Sequence, residues 1–98
     1  MQKQDVIAAL KHNEAALRAL GVAHAALFGS LARGDNRAGS DIDIMIEIEP
    51  RANLGLYEYI GITQYIEDLF PARVDVANRS QLKPLVRPHA ETEAIYAF

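Results

Sequence analysis

Apolar residues follow two rhythms along this chain, one of three to four positions and one of two. Val6, Leu10, Leu17 and Leu20 recur at helical intervals with Ile7 beside them. The spacing predicts a helix over about residues 4–20, with Gly21 as its stop. Residues 22–28 are a short apolar run between two glycines, predicted as a strand despite their alanines. Residues 29–36 must hold a turn, with room for one helical turn, and 37–40 read as an open loop. Over residues 41–49 isoleucine takes every even position and an acid or Met every odd one. That alternation is a strand with one face in a core, and Pro50 ends it. A second long helix is predicted over 54–70, with Leu56, Tyr59, Ile62, Ile66 and Leu69 as its stripe and Pro71 as its stop. Residues 73–77 read as a short strand. A final helix starts near Lys83, its first turn blurred by Pro84 and Pro88. The order is that of an α/β chain.

Composition narrows the classes that this pattern can serve. A chain of 98 residues, half of them apolar, is expected to form one domain over 1–98 with a modest core. It leaves no length for a second substrate domain, so an acceptor is expected to arrive on another chain. The formal net charge of −3, without a basic stripe, argues against direct nucleic-acid binding. With no Cys, thiolate catalysis, disulfides and Cys-based zinc sites are excluded. His12, His24 and His89 lack ligand spacing and are expected at or near the surface. No apolar run approaches the ~20 residues of a membrane span, and residues 1–5 lack a signal-peptide pattern. A soluble cytoplasmic protein is the expectation.

Candidate chemistry gathers in two places. If the isoleucines face the core, Asp41 and Asp43 share the opposite face, about 6.6 Å apart by two strand rises. Carboxylates that close raise each other's pKa unless a cation lies between them, and a hard divalent ion is the natural occupant. The same positions also read as an ordinary solvated strand face, with Glu47 and Glu49 as further examples. Asp75, between Val74 and Val76, would join the pair if its strand lies alongside; alone, it reads more readily as an ordinary edge-strand Asp.

The second place is Phe28-Gly29-Ser30-Leu31-Ala32-Arg33-Gly34, directly after the first predicted strand. Gly29 permits a tight turn and close backbone approach. Ser30 sits where a short helix would begin, with N–H groups pointing outward toward a phosphate, although Gly-Ser is also a common helix cap. Arg33 and Arg37 lie near enough in sequence to add positive charge. A phosphate-holding turn and a metal-holding acid pair, side by side, are the two devices that phosphoryl and nucleotidyl transfer require.

Gly29-Ser30, ten intervening residues and then Asp41-Ile42-Asp43 resemble the signature of the DNA polymerase beta-like nucleotidyltransferase superfamily. Gly-Ser-Leu-Ala-Arg-Gly and Ser-Asp-Ile-Asp-Ile are most similar to the minimal nucleotidyltransferase (MNT) family. The likeness extends to Asp75, and more loosely to Leu82-Lys83-Pro84 and the Glu93-Ala94-Ile95-Tyr96 tail. The resemblance implies a small mixed β-sheet with helices packed on it. It implies that Gly29 and Ser30 hold the triphosphate of ATP, that Asp41 and Asp43 bind two Mg²⁺, and that Asp75 completes the metal site and helps activate the acceptor hydroxyl, with Arg33 as the nearby candidate for further phosphate contact. It further implies an antitoxin that transfers AMP to a tyrosine of a cognate HEPN toxin. A non-catalytic antitoxin acting by occlusion, and a transferase acting on a small molecule, remain the alternatives.

Overall fold

The computed structural model describes residues 2–34 and 41–98; Arg37 and the predicted loop at 37–40 lie outside the described residues. The first predicted helix is two: α1, Lys3–His12, and α2, Glu14–Ala19. They part at Asn13, whose amide nitrogen donates back to the Ala9 carbonyl at 2.8 Å while its side-chain oxygen accepts the Tyr65 hydroxyl at 2.7 Å. Asn competes with helical backbone in this way, and a partner on another element decides the contest. Val6, Leu10 and Leu17 are fully buried, but Leu20 lies exposed beyond the stripe.

Strand β1 is Val22–Phe28, followed at once by the short helix α3, Gly29–Arg33. Strand β2 is Ile42–Ile48, helix α4 is Leu56–Glu67, and strand β3 is Val74–Asn78. A 3-10 turn at Arg79–Gln81 precedes α5, Arg87–Glu93, and a two-residue strand β4, Ile95–Tyr96. The sheet order is β3-β2-β1-β4. Strand β1 runs antiparallel to β2 and β4, whereas β2 and β3 are parallel. A parallel pair needs a crossover, and α4 supplies it. The sheet is therefore mixed, with helices packed on it.

Both faces of the sheet are covered, where the sequence pattern predicts one. Ile42, Ile44, Ile46, Ala25 and Leu27 pack against Val6, Leu10, Leu17, Ile62 and Ile66 on the larger side. On the other side Ala26, Met45 and Ala90 form a small cluster beneath α5. Ala25 and Ala26, neighbours facing opposite ways, both have no exposed surface. The alanines of β1 thus fit a strand pressed between two layers. Leu56 departs from the predicted α4 stripe: it opens the helix and remains 71% exposed. Strand β4 is too short to leave any periodicity in the sequence.

Helix α5 is clamped to its face by charge. Glu47 of β2 accepts from Arg79 Nη1 at 2.6 Å, Arg79 Nε reaches Glu91 at 3.0 Å, and Arg87 Nε reaches the same Glu91 oxygen at 2.8 Å. Glu47, one of the odd positions on β2, is thus half-buried and ion-paired.

Candidate active site

Parallel pairing sets the register of the carboxylates. Asp43 stands directly opposite Asp75, between the pairs Ile42–Val74 and Ile44–Val76. The isoleucines and valines on either side turn one way into the larger core, so both acids project to the α5 side. Ile42 N–H donates to the Arg73 carbonyl at 2.9 Å and locks the entry to both strands. Asp43 is half-buried and Asp75 exposed. Asp41, just before β2, is half-buried with its carboxylate 3.7 Å from Arg73 Nε.

The phosphate-type turn meets this group through β1. Phe28 pairs with Asp43, so the next residue, Gly29, lies over the Asp43 side chain. Gly29 has φ +75°, and a Cβ there would collide with the Asp43 carboxylate, lying 3.0 Å from its Cγ. Only glycine satisfies both constraints, because the backbone conformation and the space each exclude a side chain. Helix α3 is capped by extended Phe28 without a side-chain hydrogen bond, so Ser30 is not the cap but the second helical residue. First-turn N–H groups have no intrahelical acceptor, and those of Gly29 and Ser30 belong to that turn. At the other end Arg33 is the last helical residue before left-handed Gly34, φ +80°.

The charges are coupled. Burial pushes the Asp43 carboxyl above its ordinary value of 3.8, the charges of Asp75 and Asp41 push it further the same way, and the Arg33 guanidinium pulls it partly back. Arg33 also donates to Glu93 of α5 at 2.9 Å. The contact itself leaves no local sequence signal, because it spans sixty positions and depends on where α5 lies.

The donor set fits a hard divalent cation: all three candidate ligands are carboxylates, and two of them face each other. Among the described residues, no three acids or histidines are already gathered tightly enough to cage an ion. Mg²⁺ needs no such cage, since it is commonly held by one or two carboxylates plus substrate phosphates. Among the described residues, no helix is long and apolar enough to cross a membrane.

Comparisons with known proteins give a consistent answer. The sequence profile of the nucleotidyltransferase domain family matches residues 10–97. The protein adenylyltransferase MntA of Thermococcus cleftensis is 31% identical over 85 residues, which cover 87% of this chain and 84% of the relative. A solved structure described as a candidate minimal nucleotidyltransferase superposes with a TM-score of 0.79 at 27% identity, over 97% of this chain and 95% of its own. One chain of a solved complex, described as tri-AMPylated Shewanella oneidensis HEPN toxin with MNT antitoxin, shares the fold, with a TM-score of 0.61 at 16% identity, over 90% and 68% of the two chains.

Proposed function

This chain belongs to the nucleotidyltransferase domain family, in its minimal nucleotidyltransferase branch, and from that premise we propose that it transfers AMP from ATP to a tyrosine hydroxyl of a cognate HEPN-type toxin, acting as the antitoxin. The observation that carries the reading is the contact between Gly29 and Asp43, with Asp75 directly opposite. It puts a bare stretch of backbone, able to approach phosphate oxygens, against a pair of charge-coupled carboxylates.

In this reading the first-turn N–H groups of Gly29 and Ser30 bind the triphosphate, and Arg33 adds a guanidinium. Asp41, Asp43 and Asp75 are the ligands for Mg²⁺, which when bound supplies charge neutralisation at the reacting phosphate and the leaving pyrophosphate. Asp75, the most open of the three, takes the proton of the tyrosine hydroxyl. The tyrosine oxygen forms its bond to the α-phosphorus as the bond to pyrophosphate breaks. The chain's own part is positioning and electrostatics.

The test is the intact mass of a HEPN-type partner co-expressed with this protein. A mass increase by one or more AMP groups is expected. Asp41→Ala and Asp43→Ala should lower transfer of labelled AMP by about 100-fold or more while the fold persists. Transfer that survives either change would remove the metal-ligand roles. An unmodified partner in a tight, inactive complex would mean occlusion instead.

A further inference from the structure

Arg33 is a long side chain at the end of a five-residue helix, and such a group does not hold one direction unaided. Its Nη1 meets Oε2 of Glu93 at 2.9 Å, with both side chains partly exposed. We propose that Glu93 is a positioning residue for the nucleotide: it holds the Arg33 guanidinium on the Asp43 side of the turn, ready for the phosphates. This rests on the reading of the site given above.

Three observations carry it. First, the backbone on either side of Glu93 is anchored. Ala90 of the same helix is buried under the sheet, and Glu91 is fixed by Arg79 and Arg87. Beyond Glu93 the chain enters β4, where Ile95 pairs with Leu27 of β1, two residues before Gly29. Glu93 is therefore registered to the same strand that delivers the phosphate turn. Second, Arg33 ends the five-residue helix that begins at Gly29, the residue packed against the Asp43 side chain, and its positive charge favours the ionised form of that carboxylate. Third, the pair is a half-exposed one, and such pairs add little to stability. What such a pair can do is fix where a positive charge lies.

A guanidinium can donate to a carboxylate and still direct other N–H groups at phosphate oxygens, since it carries five donors in a planar fork. Glu93 fixes one edge of that fork before the nucleotide arrives, which is how preorganisation raises affinity.

The experiment measures binding of AMP-PNP with magnesium by calorimetry, independently of transfer. Glu93→Ala is expected to weaken AMP-PNP binding by about tenfold and to raise KM for ATP more than it lowers kcat. Glu93→Gln, whose amide oxygen still accepts from Arg33, should retain most of the affinity. In an Arg33→Ala background, Glu93→Ala should cause no further loss. The exchange Arg33→Glu with Glu93→Arg keeps an ion pair and should not restore binding, whereas a merely structural contact would be restored. Thermal midpoints of each variant verify folding. Unchanged affinity in Glu93→Ala, or an equal loss in the Arg33→Ala background, overturns the proposal while leaving the site reading intact. A wild-type protein that binds no AMP-PNP overturns both.

Discussion

Asp43 is half-buried, faces Asp75 across a parallel strand pair and feels Asp41 two residues away, so its charged form is disfavoured in the folded protein. Its native pKa therefore lies above the ordinary 3.8. Between those two values the folded state binds more protons than the unfolded one, and stability falls as pH rises through the window. At neutral pH an ionised Asp43 is a standing cost to the nucleotide-free protein. Asp43→Asn should accordingly raise the thermal midpoint at pH 7 by roughly a few degrees. The gain should shrink as pH falls below the native pKa and the wild-type carboxyl protonates. Melting curves across pH check this, and an unchanged or lower midpoint at pH 7 would contradict the electrostatic account. The acids and the Gly29-Ser30 turn stand out in the sequence because spacing and residue type reveal them. The facing of Asp43 and Asp75 does not, since strand register is not written in either segment alone.

At the scale of elements, α1 and α2 part at Asn13, whose side chain bonds both its own helix and another element. Asn13 returns a hydrogen bond to its own helix and accepts another from Tyr65 of α4. Tyr65→Phe removes one part-buried bond and should cost about 0.5–1.5 kcal/mol. Asn13→Ala removes both and leaves the Tyr65 hydroxyl without this acceptor, so it should cost more, about 1–3 kcal/mol. Denaturant titration of the two variants tests the order; equal costs would mean that the bond to Ala9 contributes nothing. Apolar spacing alone reads residues 4–20 as one helix, because the 3.6-residue period continues through Asn13 and its hydrogen-bond partner at the break lies 52 positions away. Strands β1 and β2 match their expected limits closely, because a run of apolar residues and a strict alternation are both local signals.

Across the whole molecule the two sides of the sheet are unequal. The larger side buries α1, α2 and α4, whereas α5 buries only Ala90 of its own residues and is otherwise held by ion pairs. Opening free energy follows buried apolar contact more than surface charge. Amides of β2 should therefore exchange only on global unfolding, while those of α5 exchange through a smaller opening. Hydrogen exchange resolved by peptide checks this, and equal protection in the two segments would show that the charge clamp is stronger than its exposure suggests. If α5 does open first, Glu93 leaves with it, and the position of Arg33 becomes tied to the stability of that helix.

The sequence alone determines the isoleucine strand, the glycine turn and the identity of the acids, since each arises from neighbours within a few positions. Tertiary structure alone decided that Asp75 pairs with Asp43, that Met45 is buried under a second layer, that Asn13 ends a helix, and that Glu93 holds Arg33. The physical reason is the same throughout. Local pattern specifies which face of an element is apolar, but only packing specifies what that face, or the polar one opposite, will meet.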